Sequence, residues 1–100
     1  MKIGFIGLGN MATAMIGGML QKGIAAPEDI IGSARTETTV EKVKTKFNIN
    51  TTTDNKIVAV QADILFLAVK PIFFPEVIDQ IKDVVAEDTL IVRQEELWTI

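Results

Sequence analysis

Three small residues at fixed intervals, Gly7, Gly9 and Ala12, punctuate the uncharged stretch IGFIGLGNMATAMIGGML at residues 3–20. They spell G-x-G-x-x-A after a short apolar, β-branched run, KIGFI, and before a pattern of helical period. A strand, a tight turn and a helix in that order make a cradle for a pyrophosphate. The first glycine permits the sharp turn, the second lets phosphates approach the backbone, and a small third residue lets helix and strand pack closely. Asn10 is suited to cap the helix, and the N–H groups behind it, at the positive end of the helix dipole, would face the phosphates. Gly7, Leu8, Gly9, Asn10 and Met11 thus form the first wall of a candidate site.

The same run follows Lys2 and precedes the small residues Ala25 and Ala26, which are the parts of a secretory signal. Against export stand five glycines within it (Gly4, Gly7, Gly9, Gly17, Gly18), with Asn10 and Thr13, which lower its hydrophobicity well below that of a membrane helix. Gly17 and Gly18 fall in the helix interior, where each costs roughly 1 kcal/mol against Ala, and are expected to permit close helix packing. With export set aside, a cytoplasmic location and no membrane partner are expected.

A second wall comes from IIGSARTET. In a fold of this kind, an acid at the end of the second strand would accept a hydrogen bond from the 2′-hydroxyl of NAD and repel a 2′-phosphate. Here Ser33, Arg35 and Thr36 precede the first acid, Glu37. A guanidinium matches a phosphate in charge and fork geometry, which favours NADP, with NAD possible. Read alone, Arg35 is also an ordinary solvated residue in the first turn of a helix. Ala68, Val69, Lys70 and Pro71 make the third wall. Lys70 follows a strongly apolar strand, where its side chain can reach a cofactor, although Lys-Pro also serves simply to stop a strand. Asp54-Asn55 reads as a helix cap.

The elements that must position these loops alternate along the chain. After a helix over 11–22, Gly23 and the turn AAPED lead to a strand at 30–33, a helix over 37–47 and a weak strand at 49–52. A short helix over 55–61 then precedes DILFLAV, residues 63–69, a continuous apolar run of the kind buried on both faces of a parallel sheet. An amphipathic helix over 74–85 points Val77, Ile78, Ile81 and Val84 or Val85 to the core, and TLIV at 89–92 is a fifth strand. The expected architecture is α/β: a doubly wound parallel sheet, Rossmann-like, of five or more strands in the order 3-2-1-4-5, forming one dinucleotide-binding domain over residues 1–100.

Composition narrows the chemistry. The chain has 100 residues, 48% hydrophobic and 23% charged, an ordinary globular balance sufficient for one modest core. A net charge of −3, with no dense basic cluster, argues against a nucleic-acid partner. It has neither cysteine nor histidine. Disulfides, thiolate nucleophiles, zinc sites of the usual ligand types and histidine acid–base catalysis are therefore excluded, and no metal site is expected. Any chemistry is borrowed from a cofactor or another chain segment, and the partner is a small-molecule substrate.

Taken in order, IGFIGLGNMATAMIGGML, PEDI, SAR, TTDN, ADILFLAVKP and TLIV followed by TI resemble the amino-terminal domain of pyrroline-5-carboxylate reductases across nearly the whole chain. FLAVKP and TDN are more specific than the glycine turn. The resemblance implies a Rossmann domain followed by a helical domain that dimerises and completes the substrate site, and reduction of 1-pyrroline-5-carboxylate to L-proline with NADPH or NADH. It implies that residues 7–11 hold the pyrophosphate, Ser33 and Arg35 the 2′-phosphate, and Asn55 part of the adenosine or ribose environment. Ala68, Val69, Lys70 and Pro71 would line the path to the nicotinamide. A homo-oligomer is expected of the full-length protein.

Two departures stand out. The family's helical domain is absent from these residues, so the chain reads as a fragment and its catalytic residues cannot be named. Where the family carries a small-residue segment close to S-I-A-A-G after strand five, this chain has Arg93, Gln94, Glu95, Glu96, Leu97 and Trp98, bulky and acidic groups that would crowd or repel a cofactor. β-Hydroxyacid dehydrogenases of the 3-hydroxyisobutyrate type share the opening turn but usually place Asn-Arg-Thr after strand two and lack AVKP. A non-catalytic NADP-sensing domain is the alternative of a different class.

Overall fold

The structure, a computed structural model, describes residues 1–93. Nine main elements follow one another: β1 (Ile3–Ile6), α1 (Asn10–Gln21), β2 (Ile30–Ser33), α2 (Glu37–Phe47), β3 (Asn50–Thr52), α3 (Asn55–Gln61), β4 (Ile64–Leu67), α4 (Phe74–Ile81) and β5 (Leu90–Arg93). Single 3-10 turns at Pro27–Asp29 and Pro71–Phe73 lead into β2 and α4. Each opens on a proline, whose fixed φ and missing N–H suit a first helical position.

The strands form one parallel sheet in the order β3-β2-β1-β4-β5. This is the doubly wound, Rossmann-like topology expected of alternating strands and helices. β1 lies at its centre, with Ile6 opposite Ser33 of β2 on one side and Leu67 of β4 on the other. Side chains alternate across the strands, so Ile3 and Phe5 join Ile16 of α1 and Val43 of α2 in one apolar layer. Ile6, Leu65 and Leu67 meet Val58 of α3 and Phe74, Val77 and Ile81 of α4 in the other.

Local chemistry sets the helix ends. Thr36 caps α2 by accepting from the Thr39 N–H, and Asp54 caps α3 by accepting from the Lys56 N–H. Gly23, at φ 68°, closes α1: its N–H donates to Leu20 O while Ile24 N–H donates to Met19 O, a Schellman pair. At the start of α1 the expectation was different. Gly9, not Asn10, occupies the N-cap, and Asn10 is already the first helical residue with no side-chain cap present.

Four further expectations are corrected. The helix at 74–85 ends at Ile81; Val84 and Val85 still reach the core, but from a turn in which both N–H groups donate to Ile81 O. Ile78 lies at the edge of the buried stripe formed by Phe74, Val77 and Ile81 and is 38% exposed. The β4 run is buried on one face only. Leu65 and Leu67 are fully enclosed under α3 and α4, whereas Ile64 and Phe66 are half-buried on the opposite face, where Phe66 stacks on Phe5 at 4.9 Å. Of the mid-helix glycines, Gly17 does face a neighbour, the Phe47 ring, while Gly18 faces open space. Arg93 ends β5 with its guanidinium over the Phe74 ring; residues 94–98, the rest of the divergent segment, lie outside the described residues.

Gly4 marks where α3 presses hardest on the sheet: a Cβ there would stand 2.8 Å from both Ala62 Cβ and Val58 Cγ1, groups with no freedom to swing aside. Gly4→Ala therefore lowers stability by roughly 1–3 kcal/mol, the usual range for overpacking, seen as a lower urea midpoint. An unchanged midpoint would contradict this packing.

Candidate functional site

The carboxyl ends of β1, β2 and β4 and the first turns of α3 and α4 surround an open cleft of about 400 Å³. It lies beside β1, where the crossovers change direction, the place at which open α/β sheets bind ligands. Of the residues singled out from sequence, Gly7, Ser33, Arg35, Asn55 and Val69 line it.

The turn after β1 is tied on both sides. Gly7 N–H donates to Ser33 O at 3.0 Å, and Ala68 N–H donates to Ile6 O at 2.9 Å. Gly7 sits at φ 101°, which L side chains rarely adopt, and a Cβ there would lie 2.9 Å from Ala68 O. Glycine at this position thus serves both the turn and the approach of the loop after β4. Leu8 points inward: it is buried, and its side chain fills the space above Gly32. Only its backbone faces outward.

Gly9 differs from Gly7. Its φ of −80° is open to any residue, and a Cβ there would meet nothing within 4 Å. No demand of the described fold requires glycine at this position. The first intrahelical bond of α1 runs from Thr13 N–H to Gly9 O, so the amides of Asn10, Met11 and Ala12 lie ahead of it and are available to an external acceptor. Open space above a glycine, with helix-terminal amides beside it, fits an approaching diphosphate, and Ala12, 1% exposed, keeps α1 close to the sheet.

A hydrogen-bonded chain crosses the cleft floor. Ser33, fully buried, donates from Oγ to Asn55 Oδ1 at 2.7 Å, and Asn55 Nδ2 donates to Gln80 Oε1 at 2.8 Å. The end of β2 and the first turn of α3 are thereby joined to α4. The Ser33 hydroxyl proton is committed to Asn55, so Ser33 shapes the site chiefly by orienting that amide.

Arg35 stands at the mouth. Its guanidinium lies over the Phe73 ring, 4.3 Å from the centroid, and 3.8 Å from Glu76 Oε2. No carboxylate from the end of β2 shares this position; the carboxylate present comes from α4. On the remaining wall, Ala68 is buried, Val69 and Pro71 are half-buried and Lys70 is exposed. Ala68, Lys70 and Pro71 are not among the residues that line the cleft, nor are Leu8, Gly9, Asn10 and Met11.

Phe73, Glu76 and Gln80 line the cleft although no local motif marks them. One signal was present: Glu76 and Gln80 are four apart, hence on one face of a helix that begins at the carboxyl end of β4.

The sequence pattern of the family described as NADP oxidoreductase, coenzyme F420-dependent, matches residues 2–93. A pyrroline-5-carboxylate reductase of Methanosarcina acetivorans is 36% identical over 91 residues, which make up 91% of this chain and 34% of that protein. Among solved structures, a pyrroline-5-carboxylate reductase from Coxiella burnetii superposes with a TM-score of 0.85 at 34% identity, covering 92% of this chain and 34% of that one. The Plasmodium falciparum pyrroline carboxylate reductase, solved with NADP bound, superposes with a TM-score of 0.72 at 28% identity, over 92% and 32%. The chain thus spans about a third of the length of these relatives. Among the described residues, no helix is long and apolar enough to cross a membrane.

The two turn glycines separate by substitution. Gly7→Ala combines left-handed strain with a backbone clash and costs roughly 2–4 kcal/mol. Gly9→Ala costs less than about 1 kcal/mol, the scale of an N-cap preference. Denaturation midpoints of the two variants check this, and equal losses would refute the distinction.

Proposed function

The chain belongs to the family of NADP oxidoreductases, coenzyme F420-dependent, and from that membership we propose that it forms the NADP-binding domain of a pyrroline-5-carboxylate reductase. The observation that carries the cofactor reading is the β1–α1 turn itself, with Gly7 on the lining of the cleft that Arg35 also lines and Gly9, two residues on, open to an approaching group. The substrate reading is supported by the names and identity levels of the relatives, together with SAR after β2 and AVKP after β4.

On this reading the open space at Gly9 and the amides of residues 10–12 receive the pyrophosphate. Arg35 reads the 2′-phosphate by charge and fork geometry. Asn55, oriented by Ser33 and Gln80, meets the adenosine ribose. Ala68, Val69, Lys70 and Pro71 form the wall along which the nicotinamide half lies. NADPH, when bound, would supply a hydride to the C=N carbon of a cyclic imine already protonated at nitrogen, leaving the secondary amine and NADP⁺. That transfer requires a placed donor and an electrophilic carbon more than a strong base, so a chain without histidine can serve it by binding and orienting alone. NADH is the weaker alternative cofactor. A cytoplasmic, homo-oligomeric enzyme is part of the same proposal.

Arg35→Ala weakens NADPH by roughly 1–3 kcal/mol, the range of a charge-assisted hydrogen bond, and leaves NADH nearly unchanged. Gly9→Ala weakens both nucleotides. Calorimetric titration distinguishes these patterns, and equal loss of the two nucleotides in Arg35→Ala would defeat the assignment of Arg35. The substrate is tested on the purified native gene product: NADPH is consumed only when 1-pyrroline-5-carboxylate is added, with proline appearing. Binding of NADPH without its oxidation by this imine would overturn the reductase.

A further inference from the structure

Glu76 stands in a position that the cofactor reading leaves unexplained. It lies in the first turn of α4, where the helix dipole favours a carboxylate, and its Oε2 is 3.8 Å from the Arg35 guanidinium. Both side chains are largely exposed, 72% for Arg35 and 63% for Glu76, and at this separation the pair is ionic without being a hydrogen bond. Phe73 supports the guanidinium from its ring face independently of Glu76. Four residues on, Gln80 accepts from Asn55, which ties this face of α4 to the first turn of α3.

We propose that Glu76 is a positioning residue that sets the preference between NADPH and NADH by acting as the internal counter-ion of Arg35. The inference rests on the reading of the cleft as a dinucleotide site. A 2′-phosphate brings more charge and a better match to the guanidinium fork than the carboxylate does, so it displaces Glu76 from Arg35. The displacement has two costs specific to NADPH: the Arg35–Glu76 attraction is lost, and a carboxylate remains close to a phosphate. NADH, with a hydroxyl at that position, incurs neither. Ordering of Arg35 by Glu76 acts in the opposite sense, but an exposed ion pair contributes little order, and Phe73 still holds the guanidinium when Glu76 is neutral. Glu76 therefore narrows the preference for NADPH. It acts as the acid missing from the end of β2, supplied from another element and working through Arg35.

Calorimetric titration of the chain at low salt with NADPH and with NADH tests this in four forms: wild type, Glu76→Gln, Arg35→Ala and the double variant. Glu76→Gln is expected to tighten NADPH about two- to five-fold, the scale of an exposed ion pair, with NADH unchanged. The gain is expected to fall in the Arg35→Ala background, where only the carboxylate–phosphate repulsion is left to relieve, and to shrink as salt is raised. Unchanged or weaker NADPH binding in Glu76→Gln, equal tightening of both nucleotides, or a gain that persists undiminished without Arg35 would each overturn the proposal. A wild-type chain that binds NADPH while Glu76→Gln has no effect removes this inference alone. A wild-type chain that binds neither nucleotide removes the cofactor reading and the inference with it.

Discussion

The left-handed turn at Gly7 is the constraint on which the rest of the arrangement depends. β1 must serve two parallel neighbours whose crossovers run to opposite faces, and the turn that leaves it has to start α1 without blocking the loop that leaves β4. A residue at φ 101° with no Cβ meets both demands, because it lets Ala68 O come to where a side chain would otherwise stand. The hydrogen bonds from Gly7 to Ser33 and from Ala68 to Ile6 then fix three strand ends relative to one another. The cleft is the space that remains between those ends.

The polar groups of the cleft depend on that backbone frame. Ser33 is held at the end of β2 by the parallel register, fully buried, and a buried hydroxyl must find a partner. Asn55 supplies it, and Gln80 satisfies the other end of Asn55, so three elements from both halves of the sheet share one chain of hydrogen bonds. At the mouth the groups are exposed and their contacts weak. On the proposed reading the hydrogen-bonded floor lies against the adenosine ribose and the exposed rim against its 2′ substituent.

Much of this was legible in the sequence because the signals were local. The G-x-G-x-x-A spacing, the absence of an acid before Glu37, and the strand–helix alternation each depend on neighbouring residues, and the fold follows them closely. Asn10 has the better capping side chain, but Gly9 takes the extended φ and ψ of the cap, so Asn10 falls one position inside the helix. Ile64 and Phe66 looked fully buried because an apolar run does not reveal how many faces are covered. Phe73 and Glu76 carry no local signal, because their link to Arg35 exists only once the start of α4 meets the loop that follows β2. The close approach of Gly7 and Ala68 is likewise a property of the assembled sheet.

Whether a dinucleotide lies across the β1–α1 turn and reaches Arg35, as proposed, is tested most directly by a residue-resolved amide NMR titration of this chain with NADPH. The largest shifts are expected at Gly9, Asn10, Met11 and Ala12, with a second group at Ala34, Arg35 and Asn55, and little change at Ile57 or Val60 on the outer side of α3. Shifts concentrated away from both groups, or none at all from a folded chain, would contradict it.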